Sequence, residues 1–163
     1  MNASHDPAAT WAGTIAATTA CAVSGGIATD PSSDWYESLE KPSWQPPGYL
    51  FPIVWTGLYA GIAATSARTI NTFEERGEQR RAAGYRTALG INLVLNQGWS
   101  WTFFSAHRLG LASVNAALLA MSSVDLARRA GQADTGKGLE LVPYALWCTF
   151  ATALTVWIAR RNA

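Results

Sequence analysis

Aromatic and amide side chains at helical spacing are the residues of this chain best suited to chemistry. Asn96, Trp99 and Phe103 fall at i, i+3 and i+7 and share one helix face. Tyr144, Trp147, Ala151 and Leu154 repeat the arrangement later in the chain, and Phe51, Trp55 and Tyr59 are spaced i, i+4, i+8. Trp35, Tyr36 and Trp44 lie in a segment stiffened by Pro42, Pro46 and Pro47. Three aromatic stripes could line a cavity for a large, flat, apolar ligand. Rigid rings give contact area at low entropic cost. Core packing accounts for the stripes almost as well, and an interfacial aromatic belt accounts for Trp35, Tyr36 and Trp44. An amide such as Asn96 inside a membrane must face a partner or a cavity, and interhelical glue is its alternative role.

Other chemistries find less support. No Ser/His/Asp arrangement or carboxylate pair suggests acid–base hydrolysis. No C-x-x-C or Cys/His ligand spacing exists, so no metal site is expected. Cys21 and Cys148 lie in apolar stretches and read as small packing residues. His107 is a conceivable haem ligand, but next to Arg108 in a short linker it reads as a solvated or interfacial side chain. Glu37, Glu40 and Lys41 read as a solvated loop face, and Asp125 as interfacial or paired with an arginine.

The elements that must position these residues are defined by missing charge. Only 14% of the 163 residues are charged, eight are tryptophan, and the net charge is +1. Nothing here forms the concentrated basic patch of a nucleic-acid binder. Uncharged stretches cover 7–29, 42–67, 87–106, 109–124 and 141–159. A membrane span needs about 20 largely apolar residues, and water-soluble helices this poor in charge would have no polar face. The fold class expected is therefore all-α, a polytopic membrane protein with a bundle of five transmembrane helices. Its spans fall near 8–29, 48–70, 84–106, 109–128 and 139–160, in one domain covering 1–163, with a loop at 30–47. A soluble bundle rich in Ala, Gly, Ser and Thr is the alternative. Ala20-Cys21-Ala22 mimics a signal-peptidase site, yet the first stretch has Asp6 and no basic start, so it reads as a retained span.

With five spans, the amino terminus and the second and fourth loops share one side. Arg68, Arg76, Arg80, Arg81, Arg86, Arg128, Arg129 and Lys137 lie there, against Lys41, Arg108, Arg160 and Arg161 opposite. The excess favours a cytoplasmic amino terminus in a bacterial cell membrane. The small-residue spacings Gly13, Ala17, Cys21 and Ala16, Ala20, Ser24 suit close helix packing.

The string W-Y-x-x-L-x-K-P-x-W-x-P-P from Trp35, followed by F-P and W-x-x-L-Y, closely resembles the translocator-protein family, also called TspO/MBR or the peripheral-type benzodiazepine receptor. The resemblance continues in N-x-x-W-S-x-x-F-F from Asn96 and P-Y-x-x-W-x-x-F-A-T-x-L from Pro143, three motifs in the family's order. It implies a five-helix bundle, usually a homodimer among membrane lipid, with a cavity capped by the first loop. It further implies that no cofactor is required and that protoporphyrin IX or haem, or a synthetic benzodiazepine-site compound, is the ligand. The pocket positions it implies are Tyr36, Pro46, Trp55, Asn96, Trp99, Trp147 and Ala151, with Trp44 and Pro47 in the lid. Two functions follow from it: a binding protein acting as sensor, carrier or regulator of tetrapyrrole levels, or an enzyme degrading porphyrin with light and oxygen through Trp55 and Trp147. Thr155 stands where the family often has Asn, and Val156 where the sterol-type pattern has Tyr. Such patterns are weak, but their loss turns the expectation from sterols to porphyrins.

Overall fold

A computed structural model describes residues 6–162, and within them regular structure is entirely helical. Helix α1 spans Pro7–Ala28, the short α2 Asp34–Ser38, α3 Leu50–Glu75 and α4 Gln79–Ser100. Helix α4 continues into a π turn at Trp101–Ser105, and α5 (Leu109–Ala133), α6 (Thr135–Glu140) and α7 (Val142–Arg161) follow. Five of these helices are long, each with 20 to 26 residues.

Local chemistry sets their ends. Asp6 caps α1 by accepting from the Ala8 amide at 2.9 Å, and Pro7 supplies a first-turn residue with no amide to satisfy. Helix α3 stops at Gly77, whose φ of 72° is open to glycine at little cost. There the Gly77 amide donates to Glu74 O at 2.9 Å and the Glu78 amide to Phe73 O at 2.8 Å, closing the helix in a Schellman turn. Asp134 ends α5 and caps α6, accepting from the Gly136 amide at 2.8 Å.

Helices α3 and α5 run past the expected span ends at 70 and 128, and charged residues near those ends are paired. Glu74 meets Arg86, and Asp125 meets Arg128 at 2.7 Å and Arg129 at 2.5 Å. Within the expected last span a single turn residue, Leu141, separates α6 from α7. Glu140 at the end of α6 is held by Arg68 and by the Thr65 hydroxyl at 2.6 Å, both on α3.

Helix α5 packs along α7 and α4, while α1 lies along α3 and α4. Ile62, Ile70, Phe73, Tyr85, Leu126, Leu141 and Tyr144 are fully buried at the centre. A second apolar cluster of Phe103, Ala112, Leu154 and Ile158 lies under the α1–α3 connection, which covers it with Trp35, Tyr36 and Leu39. Ile15, Val23, Ile27, Ile53, Val94, Leu111, Val114 and Met121 are exposed, so the outside of the bundle is apolar. Leu50–Glu75, Leu109–Ala133 and Thr135–Arg161 are long and apolar enough to cross a membrane. An apolar exterior over helices of this length is what a bilayer requires, and the chain is an integral membrane protein.

Candidate ligand pocket

The expected site residues divide between two aromatic walls and the lid above them. On α3 and α7, Trp55 meets Trp147 edge to face at 6.5 Å between ring centroids. Phe51 lies 5.8 Å and Phe150 5.3 Å from Trp147, and Trp44 of the lid reaches Phe150 at 5.9 Å. The α7 face that carries Tyr144 and Trp147 therefore meets α3, and Ala151, one turn beyond Trp147 on α7, is half-buried. The second wall comes from α4, where Trp99 stacks on Phe103 at 5.3 Å. The Trp99 indole donates to Thr155 Oγ1 at 3.2 Å, which ties α4 to α7.

The π turn after α4 shapes this second wall. The Ala106 amide reaches back to Trp101 O at 2.9 Å, one residue further than an α-helix allows. With that extra residue, Phe103 and Phe104 both meet Tyr36, at 6.3 Å and 5.3 Å. The turn ends at His107, whose φ of 54° is unusual for a residue with a side chain. Its imidazole stacks on Trp35 at 4.0 Å and 13°. Away from Trp55 and Trp147, His107 braces the lid from outside.

Asn96 is buried and uses both ends of its amide. It accepts from Tyr59 at 2.6 Å and donates to Tyr144 at 3.1 Å. Tyr144 in turn donates to Asn92 Oδ1 at 2.7 Å, and the Asn92 amide reaches Ser122 and Ser123, both at 3.2 Å. Cys21 of α1 joins through Leu93 O at 3.3 Å, and Cys148 accepts from Ser123 at 3.4 Å. The interhelical role weighed for Asn96 is thus present in the geometry: the network connects α1, α3, α4, α5 and α7.

Pro46 is half-buried and Pro47 exposed, at the end of the lid just before α3. The lid is fixed at its other end by Asn162, which accepts from the Glu40 amide at 2.8 Å and donates to Glu40 O at 3.0 Å. Burial pushes the Tyr36 phenol above its ordinary pKa, outweighing the opposing effect of a hydrogen bond from Gln45. Lys41 is half-buried rather than solvated. Its ammonium donates to Glu37 O at 3.2 Å and Leu39 O at 3.1 Å and lies 4.5 Å from the Tyr36 ring centre.

Two polar atoms near the walls and lid are buried without a hydrogen-bond partner, Trp147 Nε1 and Gln45 Oε1. Such groups are rare because each costs about 1–3 kcal/mol. The sequence offered no sign of Gln45, of the His107–Trp35 stack or of the Asn162 clamp. The W-Q-P-P run contains Gln45, but only the folded lid buries it. Elsewhere, grooves of about 590 Å³ and 450 Å³ indent the surface beside α1, lined by Gly13, Ala17 and Leu89 in one and Trp11, Ala60 and Ala64 in the other. Among the described residues no cluster of His, Cys, Asp and Glu forms a metal site.

Comparison with known proteins agrees with the sequence motifs. Residues 14–161 match the TspO/MBR family. Protein CrtK of Rhodobacter capsulatus is 33% identical over 143 residues, covering 88% of this chain and 87% of that protein. The tryptophan-rich protein TspO of Chlorobaculum tepidum is 33% identical over 132 residues, covering 81% and 82%. The human translocator protein is 28% identical over 155 residues, covering 91% and 87%. A match over nearly the whole chain, on an all-helical bundle with its aromatic motifs gathered under one loop, means that the chain belongs to the TspO/MBR family.

Proposed function

We propose that this protein binds a tetrapyrrole such as protoporphyrin IX or haem between its two aromatic walls, as a sensor, carrier or regulator of porphyrin levels. The observation that carries the reading is the Trp147 indole N–H, buried among Trp55, Phe51 and Phe150 with no acceptor. A ligand that slides between these rings supplies both the stacking area and the missing acceptor. Tyr36, Trp44, Pro46 and Pro47 close over it from the lid, and Trp99 and Ala151 complete the walls. Asn96 holds α3, α4 and α7 at the separation the ligand needs. Thr155 serves the Trp99 indole here, and Val156 stands where the sterol-type pattern has Tyr, which favours a porphyrin over a sterol.

In the membrane the protein is read as a homodimer of a bacterial cell membrane with its amino terminus in the cytoplasm. The test is tryptophan quenching by protoporphyrin IX in protein reconstituted into lipid. Saturable quenching that weakens in Trp55→Phe, Trp147→Phe and their combination supports the pocket. Quenching that is non-saturable, or indifferent to all three variants, removes it.

The edge-to-face pair of Trp55 and Trp147 supports a second reading, light- and oxygen-dependent porphyrin degradation. Indoles 6.5 Å apart can pass an electron to a photo-excited pigment held against them. Aerobic illumination of the complex should then convert porphyrin to a defined product, and Trp55→Phe with Trp147→Phe should stop it. General bleaching at the rate of free porphyrin counts against catalysis.

A further inference from the structure

We propose that the larger groove beside α1 is a lipid site, seating a phospholipid whose headgroup carries a phosphate and a primary ammonium, of the phosphatidylethanolamine type. The site is separate from the aromatic walls and does not depend on what they bind.

The groove of about 590 Å³ runs between α1, the end of α3 and α4, a size within the roughly 300–1,000 Å³ of ligand sites. Its polarity changes along its length. Asp6, Glu74, Gln79 and Arg86 line one end, where α1 starts, α3 stops and α4 starts. That end therefore lies at the membrane surface on the side of the amino terminus. Gly13 and Ala17 come about two and three turns beyond Asp6 on α1, and Gly90 and Leu93 about one and two turns beyond Arg86 on α4. A charged mouth that leads into an apolar channel matches an amphiphile with its headgroup outward and its chain along the bundle.

The two glycines make the channel roomy. A Cβ on Gly13 or Gly90 would meet no neighbouring atom within 4 Å, although Leu89 and Leu93 of the groove are buried. The charges at the mouth select the headgroup. Arg86 donates through Nη2 to Glu74, and its other N–H groups have no acceptor among the described residues. Asp6 caps α1 through Oδ1, and its carboxylate has no cationic partner among the described residues. A guanidinium with open N–H groups suits a phosphate, and an unpaired carboxylate suits an ammonium that can donate to it.

Other occupants fit less well. Two carboxylates against one guanidinium leave one negative charge at the mouth, which disfavours an anionic headgroup. A quaternary amine has no N–H to give Asp6. A second copy of this chain, facing the first across a two-fold axis, brings the same two carboxylates and one guanidinium rather than the missing cation. A zwitterion with a primary amine supplies that cation together with an anion for Arg86.

The test is native mass spectrometry of the full chain released from nanodiscs of equal parts phosphatidylethanolamine, phosphatidylcholine and phosphatidylglycerol with identical acyl chains. The wild type is expected to retain phosphatidylethanolamine about tenfold over either other lipid, the size of one charge-assisted hydrogen bond. Asp6→Asn keeps a good helix cap but loses the charge, and should bring the ratio of ethanolamine to choline lipid close to one. Gly13→Leu with Gly90→Leu fills the channel and should lower retention of all three lipids. The lipid ratio is read whether or not porphyrin binds, so this site and the aromatic pocket stand or fall separately. Equal retention of the three lipids by the wild type overturns the proposal, as does an undiminished ratio in Asp6→Asn. Leucine variants that keep their lipid but become monomeric also overturn it, because they place a second copy in the groove.

Discussion

At the scale of single residues, buried polar atoms divide into those that are fully used and those that are not. Asn96 belongs to the first kind, bonded to Tyr59 and Tyr144 at once. Asn96→Ala takes the acceptor from the Tyr59 hydroxyl and leaves Tyr144 with Asn92 alone; it should cost about 1–3 kcal/mol, read as a lower melting temperature in detergent. Asn96→Asp should be at least as damaging, since an unpaired charge would sit among buried rings. Tyr36 gives a pH prediction. Its folded-state pKa is raised, so its contribution to the closed lid is complete below the unfolded value of about 10 and is lost as pH rises through the higher folded value. Porphyrin affinity should therefore hold up to about pH 9 and fall in more alkaline solution, and Tyr36→Phe should remove the alkaline fall.

The residues that form the walls were legible in the sequence because helical spacing is a local property. Trp55, Trp99 and Trp147 could be assigned to faces from their neighbours at three and four positions. What could not be read was any contact joining distant segments. The Glu40–Asn162 clamp spans 122 positions and the Gln45–Tyr36 bond depends on how a proline-rich loop closes. The π turn is similarly silent, since no residue in Trp101–Ser105 demands it by type; it is the docking of Phe103 and Phe104 against the lid that it serves.

At the scale of elements, the lid is the part with the least support and the clearest handles. Helix α2 is five residues long and could not persist alone. It is held by the His107–Trp35 stack at one edge and the Asn162 clamp at the other. Asn162→Ala removes two hydrogen bonds and should speed porphyrin dissociation by roughly tenfold, measured by stopped-flow recovery of tryptophan emission. His107→Ala should act in the same direction, with little change in the melting temperature of the bundle. Between α5 and α6 the tolerance is smaller. A Cβ on Gly138 would come within 2.9 Å of the Gly131 Cα and 3.1 Å of Ala127 O, both backbone atoms. Gly138→Ala should therefore destabilise the α6 turn by about 1–3 kcal/mol, seen as a drop in melting temperature.

At the scale of the whole molecule, the membrane reading came from the distribution of charge, and the bundle explains why that signal was uneven. Helices α3, α5 and the α6–α7 stretch are apolar enough to be recognised by composition. Helix α4 carries Arg80, Arg81, Arg86, Asn92, Asn96 and Gln97, and α1 is rich in Thr, Ala and Gly, so neither stands out. Orientation is accessible to experiment because the two native cysteines are buried. Ser43→Cys in the lid and Gln79→Cys after the α3 turn are both at exposed positions. In intact bacterial cells an impermeant thiol reagent should label the first and spare the second until the membrane is opened. The reverse pattern would invert the topology.

The buried network has a consequence for how the chain is made. Asn92 and Asn96 sit on α4, but the hydroxyl that joins them, Tyr144, is on α7, which leaves the ribosome well after α4. Until α7 arrives, α4 must hold two amides in the bilayer with their final partner missing, which is unfavourable in a hydrocarbon setting. Insertion of α4 is therefore completed late, by a neighbour synthesised some fifty residues after it. A chain truncated before α7 should present α4 to the cell as a poorly seated segment, open to quality-control proteolysis, even though every residue of that helix is intact.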